Sequence, residues 1–337
     1  MKRIYLTIDT ECHDIKKRNL YIDGNLPKGN CGLDFMLKLG KSLGIPLNFF
    51  VDVAEAREYE IAFVQEIVKT IKLYGQNVYL HLHPDFITGD KSKTFLWEYS
   101  YDEKKHILEE GLAIYKDLLG EDAQFFRVGR YGADSEMYQA LRDLGVKLTD
   151  LSYCYRCPKM CHLYYDDIKI KNKRKTYYNQ LILPNTRYKG FYFGKFEHFI
   201  NLDANDTTFD EFKRFISKTD SECIVMTMHS WNFIKKYFFS NKISLNRQAV
   251  RKFKKMVQYA QESDFEFCDL RDNPPEAKDE KDEIIDLCNS PIGTIKMYIN
   301  TFIRFQSIAR LNKKYFIFYT FFYSFIVAMI VLLLFVI

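Results

Sequence analysis

Acidic residues are missing from the C-terminal part of the chain, where basic residues continue. Asp286 is the last carboxylate, and the charges after it are Lys296, Arg304, Arg310, Lys313 and Lys314. The formal charge of the 337 residues is only +5, so this excess is local. A basic tail without acids predicts an anionic partner or a membrane surface. Helix-turn-helix, zinc-finger and RNA-binding patterns are also missing, which argues against nucleic acid as a partner.

Charge of either sign is missing from the last stretch, which reads FIFYTFFYSFIVAMIVLLLFVI (316–337). An uncharged apolar run of this length can cross a bilayer as a helix. Its early tyrosines, at 315, 319 and 323, match an interfacial aromatic belt. The alternative is a buried core helix, but globular helices of this length are rarely apolar on every side. We therefore expect a single transmembrane anchor at 315–337, preceded by a basic amphipathic segment at 284–314 that lies on the bilayer.

A secretory signal is missing too, because the start MKRIYLTIDTE turns polar before a sufficiently long apolar segment has formed. Lys313 and Lys314 precede the predicted span, so the positive-inside rule keeps the large N-terminal part in the cytosol. The eight cysteines are scattered, which fits a reducing compartment. These observations predict a single-pass protein of the cell membrane with a cytosolic domain.

Short β-branched and aromatic runs alternate with helical patterns along most of the chain. The strand-like runs are KRIYLTID, IPLNFFVDV, NVYLHLH, QFFRV, VKLTDLSY, ECIVMTMHS and FEFCDL. Such alternation indicates parallel βα units, and about seven of them favour a (β/α) barrel over a short open sheet. We expect this α/β domain over 1–270, followed by a charged, proline-containing linker at 271–283.

Histidine is scarce, yet two of the seven histidines lie two residues apart in VYLHLHPDF. Residues with this spacing on a strand point to the same face, so His81 and His83 address one volume. Imidazole suits zinc, cobalt, nickel or iron, and a carboxylate often completes such a site. Asp9 or Glu11, at the end of the first strand, can supply it. Ordinary packing is the alternative.

Three further strand ends carry polar residues that a simple core would not choose. They are Asp9-Thr10-Glu11, Arg127 in FFRVGRYG and His229 in IVMTMHSW. Each also has a simpler interpretation: a helix N-cap, a surface ion pair and a satisfied core histidine, respectively. In a barrel, however, the carboxyl ends of the strands form the active edge, so these side chains are candidates for catalysis.

In this chain order, the motifs resemble the polysaccharide deacetylase (NodB-homology) family. HLHP, FRVGRYG and MTMHSW resemble the branch of that family with an HxHP motif, and IPLNFFVDV is similar to its second strand. The resemblance spans Lys2 to Leu270. It implies a distorted (β/α)7-type barrel and a metal-dependent hydrolase that cleaves carbon–nitrogen bonds other than peptide bonds.

The resemblance also implies roles for individual residues. Asp9 matches the general base, Arg127 the arginine that orients it, and His229 the general acid that protonates the leaving amine. Glu11, His81 and His83 match the metal ligands. Thr10 separates two carboxylates that are adjacent in most of the family, so an exchange of their roles stays open.

Substrate contacts are expected from three neighbouring residues. The family's arginine-proline-tyrosine motif is replaced here by RVGRY, so Arg130 can share the orienting role, and Tyr131 is expected at the substrate. Trp231 can wall the acyl pocket. The metal is expected to be zinc, with cobalt, nickel, iron and manganese as alternatives.

The expected reaction removes an acetyl or formyl group from an N-acylated sugar. The predicted anchor suggests a lipid-linked saccharide at the bilayer, during synthesis of a surface polysaccharide or envelope. Two alternatives stay open: a non-catalytic, membrane-tethered carbohydrate-binding or scaffold protein on the same fold, and a hydrolase of a small non-sugar amide.

The segment CYRCPKMCH raises the question of a second metal. Cys154, Cys157, Cys161 and His162 could bind a structural zinc ion. A zinc ribbon usually has a second CxxC, which is missing here, so free cysteines in a loop are the favoured interpretation.

Overall fold

The structure is a computed structural model that describes residues 2–164, 168, 170–193, 196–236, 242–278, 281–288, 296–297 and 300. Its strands are β1 Lys2–Thr10, β2 Asn48–Asp52, β3 Val78–Leu82, β4 Phe125–Val128, β5 Thr149–Asp150, β6 Lys175–Tyr177, β7 Gln180–Ile182, β8 Arg187–Phe193, β9 Phe196–Asn201, β10 Cys223–His229, β11 Ile234–Lys236, β12 Ile243–Leu245, β13 Phe265–Phe267 and β14 Ile285–Asp286. Its α-helices are α1 Leu33–Leu43, α2 Glu55–Tyr59, α3 Ile61–Leu73, α4 Pro84–Thr88, α5 Tyr101–Leu119, α6 Ser135–Asp143, α7 Phe209–Ile216 and α8 Arg247–Glu262.

The main sheet has nine strands and is mostly parallel. Its order is β10-β1-β2-β3-β4-β5-β7-β6, and β13 pairs with the start of β1. Only β6 runs antiparallel to its neighbour. Parallel strands need crossover connections, and helices supply them between the first four strands. The α/β class predicted from the alternating pattern is therefore confirmed.

The side chains that point to the inner side of the curved sheet form two layers. The lower layer is apolar and lies toward the amino ends of the strands; it consists of Tyr5, Phe50, Tyr79, Phe125, Leu151, Leu183, Cys223, Val225, Cys268 and Leu270. Two or four residues further along the same strands come the polar side chains of the upper layer. The period of two thus places the candidate residues together on an apolar floor.

The sheet does not close into the predicted seven-stranded barrel over the described residues. The gap between β7 and β10 is crossed by isolated hydrogen bonds: the Leu202 amide donates to the Thr186 carbonyl (2.8 Å), and the Thr227 amide to the Leu202 carbonyl (3.0 Å). Beside this gap, the Asn185 side chain donates to the carbonyls of Leu151 (2.7 Å) and Tyr153 (3.1 Å). These isolated bonds do not form a regular ladder between β7 and β10, so the curved sheet remains open.

The helices are amphipathic and begin and end at recognisable caps. In α5, the Ser100 side chain and Glu103 form a capping box, and Gly120 ends the helix with φ of 70°. Thr208 and Glu211 form the same kind of box at the start of α7. The polar faces turn to solvent, and the apolar faces pack on the sheet.

The predicted membrane localisation is contradicted by the structure. Within the described ranges, no helix is long and apolar enough to cross a membrane. The longest of these helices, α5, has 19 residues and carries charged side chains along its length, because one of its faces meets water. The predicted span itself, 315–337, lies outside the described residues, as does most of 284–314. The prediction of a lipid-linked substrate depended on that span.

Residues that follow the charged segment at 271–283 contact the α/β domain. β14 pairs in parallel with β8, which forms a three-stranded sheet with β9. The Asp282 carboxylate accepts hydrogen bonds from three successive backbone amides, those of Lys171, Asn172 and Lys173, at 2.9–3.1 Å. The division into a domain, a linker and a tail stays a prediction.

Candidate active site

A pocket of about 380 Å³ opens at the carboxyl edge of the sheet. The ends of β1, β3, β4 and β10 supply its polar side chains, because parallel strands bring their carboxyl ends to one edge. The lining residues are Asp9, Glu11, His13, His81, His83, Asp85, Phe86, Lys91, Arg127, Val128, Arg130, Tyr131, Met160 and His229. Eight of the nine predicted site residues are among them, and the ninth, Trp231, lies beside His229.

Glu11, His81 and His83 form a compact, buried group. Their ligand atoms lie within 4.8 Å of one another, and all three residues are at most 5% exposed. Glu11 Oε2 is 2.6 Å from His83 Nε2 and 3.4 Å from His81 Nε2. One carboxylate and two imidazoles are a donor set that zinc hydrolases use.

Neighbouring groups fix the two imidazole rings. His81 Nδ1 lies 2.8 Å from the Arg127 carbonyl oxygen, which can only accept, so Nδ1 carries a proton and Nε2 faces the pocket. A Cβ at Gly129 would lie 2.6 Å from ring atoms of His83. A glycine is therefore required where the chain passes the His83 ring.

The electrostatics of this group fit a divalent cation. Glu11 Oε2 is buried between the imidazoles of His81 and His83. Burial alone would raise the pKa of Glu11, but His83 and the hydrogen bonds from His13, His81 and His83 hold it well below its usual value. Burial also lowers the pKa of His81, whereas Asp9 and Glu11 outweigh this effect and raise that pKa to about 9. An ionised carboxylate between imidazoles is the arrangement that a cation would neutralise.

Asp9 is held by a fully buried arginine. Arg127 Nη1 donates to Asp9 Oδ1 at 2.5 Å, and Nη2 donates to Thr7 Oγ1 at 2.8 Å and to Asn185 Oδ1 at 3.3 Å. The guanidinium also lies 4.7 Å from the ring centre of Phe50, which belongs to the apolar floor. These contacts leave Arg127 little freedom, so it fixes the direction of the Asp9 carboxylate.

His229 stands beside Asp9 on the neighbouring strand. The two residues are paired in register between β1 and β10. The His229 ring is 35% exposed and stacks on Trp231 at 4.6 Å. Its Nε2 atom is 4.0 Å from Glu11 Oε1, beyond hydrogen-bond distance. The imidazole is thus available to a group that enters the pocket.

Arg130 and Tyr131 form an unusual turn at the pocket wall. Both are non-glycine residues with left-handed backbone angles, φ of 54° and 56°. Such conformations cost about 1–2 kcal/mol per residue and persist where the surroundings impose them. Arg130 Nη1 lies 3.2 Å from His83 Nδ1, 3.1 Å from the Thr94 carbonyl and 3.4 Å from Asp85 Oδ1. Arg130 therefore contacts a metal-site histidine rather than Asp9.

Several residues at this site were not predicted from the sequence, among them His13 and Asp52. His13 Nε2 lies 3.2 Å from Glu11 Oε1. Asp52 is buried behind the histidines, where its Oδ1 accepts from the His83 amide at 3.3 Å. Burial raises the pKa of Asp52, although the nearby histidines oppose this effect. The signal for His13 was the continued alternation of polar residues in DTECH; that for Asp52 was a carboxylate at the end of a buried strand.

The cysteine-rich segment shows no metal-binding arrangement. In the part of the chain that the structure covers, Glu11, His81 and His83 are the only group with metal-ligand geometry. The His162 ring instead stacks on Trp97, with 3.8 Å between ring centres. Cys154 and Cys161 are buried, and Cys157 is half-buried. The favoured interpretation as free cysteines stays a prediction.

No family model matches the chain, and none of the curated proteins does. Solved structures do match. They are carbohydrate esterases and deacetylases.

Three of these structures illustrate the match. A family 4 carbohydrate esterase from Streptomyces lividans, in complex with acetate, has 11% identity and a TM-score of 0.43, and the match covers 83% of this chain and 98% of that one. A polysaccharide deacetylase from Bacillus cereus has 12% identity, coverage of 84% and 99%, and a TM-score of 0.42. A family 4 pseudoenzyme from Bacillus anthracis has 11% identity, coverage of 79% and 63%, and a TM-score of 0.41. They belong to the deacetylase family that the sequence motifs resemble.

Proposed function

We propose that this protein is a metal-dependent hydrolase that removes an N-acyl group, acetyl or formyl, from a sugar. The observation that supports this proposal is that two sets of side chains, one for a metal ion and one for proton transfer, face the same pocket. Glu11, His81 and His83 form a divalent-cation site, and the Asp9 carboxylate and the His229 imidazole lie on adjacent strands beside it. Hydrolysis of an amide needs both sets.

Asp9 and His229 each carry out one of the two proton transfers. Asp9, held by Arg127, accepts a proton from the attacking water while the water oxygen bonds to the acyl carbon. His229 donates a proton to the nitrogen as the carbon–nitrogen bond breaks, because an amine is a poor leaving group unless it is protonated. The products are a free amine on the sugar and a carboxylic acid, acetic or formic acid.

The cation would be held by Glu11, His81 and His83, and zinc fits this donor set well. When bound, a divalent ion polarises the acyl carbonyl and makes water more acidic. Trp231 stacks on His229 at the pocket, and Tyr131 lines the pocket wall. These residues are proposed to contact the acyl group and the sugar.

The full chain, loaded with Zn²⁺ or Co²⁺, should release acetate or formate from N-acylated amino sugars. Asp9→Asn should lower turnover by about 10²–10⁴-fold, the usual contribution of a general base, and leave the metal bound. His106→Ala, on the exposed face of α5, is the control and should match wild type. If Asp9→Asn loses the metal instead, the two carboxylates have exchanged roles. A wild-type chain that binds neither ion, or binds metal but releases no acid, contradicts the proposed function.

A further inference from the structure

His13 lines the pocket, yet the proposed proton transfers do not use it. It lies two residues beyond Glu11, and its side chain is 34% exposed. Three aromatic rings surround its imidazole: Tyr21 at 5.6 Å, His83 at 5.7 Å and Trp231 at 5.8 Å between ring centres. This packing restricts the His13 ring and aims it at the metal-site carboxylate.

The two oxygens of Glu11 face different partners. Oε2 points toward the two histidines of the metal site, His81 and His83, at 3.4 and 2.6 Å. Oε1 lies 3.2 Å from His13 Nε2 and 4.0 Å from His229 Nε2. His13 is therefore within hydrogen-bond distance of Oε1, whereas His229 is not.

A carboxylate that binds a cation through one oxygen is fixed in place when its other oxygen accepts a hydrogen bond. Without the donor on His13, Glu11 can rotate its carboxylate, and Oε1 can attract the imidazole of His229. Either change weakens the metal site. The second change also occupies the nitrogen that must protonate the leaving amine.

We propose that His13 is a positioning residue: it donates from Nε2 to Glu11 Oε1 and so holds Oε2 toward His81 and His83. This role rests on the proposed metal-dependent function. His13 does not itself bind the cation, because its nitrogens fall outside the group of ligand atoms that lie within 4.8 Å of one another. Its effect on metal binding is transmitted through Glu11.

The test measures the affinity of the full chain for Zn²⁺ and Co²⁺ by competition with a chromogenic chelator. His13→Ala removes the donor, whereas His13→Gln keeps an N–H near the position of Nε2 without an imidazole. We expect about 10–100-fold weaker binding in His13→Ala and less than about threefold change in His13→Gln. The exposed His106→Ala control should bind like wild type. The absorption spectrum of bound Co²⁺ should be the same in wild type and His13→Gln.

Three results would overturn this role. Equal affinities of wild type and His13→Ala would show that the hydrogen bond does not position Glu11. An equal loss in His13→Gln and His13→Ala, with an altered Co²⁺ spectrum in His13→Gln, would make His13 a metal ligand. A wild-type chain that binds neither ion would contradict the proposed function itself, and this result is distinguishable because it appears before any substitution.

Discussion

Gly129 shows how closely single residues define the pocket. Any larger side chain at this position would overlap the His83 ring, since a Cβ would come within 2.6 Å of it. A small residue is therefore part of the metal site although it has no ligand atom. The sequence motif FRVGRYG contains this glycine, but its contact with His83 lies 46 residues away in the chain and could not be read from spacing.

Gly129→Ala should weaken Zn²⁺ binding by about tenfold or more, because the ring of a ligand must move. Gly44→Ala is the matched control. Gly44 ends α1 with φ of 65° and has open space around it, so its replacement costs about 1–2 kcal/mol of stability without touching the site. Chelator competition and urea unfolding separate the two effects. Equal metal affinity in both variants would contradict the steric argument.

The pair Asp9 and Arg127 gives a second prediction at this scale. Arg127→Met leaves the Asp9 carboxylate buried and without its partner, which should cost about 3–5 kcal/mol in the free energy of unfolding. Asp9→Asn/Arg127→Met should be more stable than Arg127→Met alone by at least about 1 kcal/mol, because no charge is left unpaired. Urea unfolding of the four proteins of the cycle measures this coupling. A double variant no more stable than Arg127→Met would show that Asp9 is well hydrated without the arginine.

At the scale of elements, most of the site was predicted from the alternation of side chains between the two faces of a strand. It predicted that His81 in β3 and His83 directly after β3 address one volume, and the same period brings Asp9, Arg127 and His229 to the pocket. The period could not show that β5 has only two residues, or that isolated hydrogen bonds rather than a ladder cross the gap between β7 and β10. Contacts between distant segments decide closure of a sheet, so the barrel was predicted where the structure has an open sheet.

The Asp282 carboxylate is one of the contacts that attach β14 to the domain, besides the pairing of β14 with β8. Asp282 accepts from three successive amides, and bonds to a charged acceptor contribute about 1.5–3 kcal/mol each at most when they are well formed. Asp282→Ala should speed amide hydrogen exchange in residues 171–173 and in Ile285–Asp286, with little change in β1–β4. Asp122→Ala, whose side chain is 84% exposed, is the control. Unchanged exchange in both segments would show that pairing with β8 alone holds β14.

At the scale of the whole molecule, metal binding and folding should be linked. Glu11 directly follows β1, and His81 and His83 lie at the end of β3, 70 residues or more further along the chain, so the site exists only in the folded protein. With free Zn²⁺ at 100 times its dissociation constant, stability should rise by about 2.7 kcal/mol. Calorimetry should show a higher Tm with Zn²⁺ for wild type and no such rise for His81→Ala/His83→Ala. A rise of the same size in the double variant would place the stabilising metal elsewhere.

The apolar layer beneath the site also limits how a substrate can enter. Below Arg127, the interior of the sheet is filled by the aromatic side chains of Tyr5, Phe50, Tyr79 and Phe125. The Tyr5 hydroxyl donates a hydrogen bond to the Asn273 carbonyl at 2.6 Å. The pocket is therefore closed at its base and open at one end. Under the proposed function, an acyl group would enter head first, and the acid it yields would leave by the same opening. The rest of a saccharide would stay outside the rim, so the cavity would limit the size of the group removed but not the length of the sugar chain that bears it.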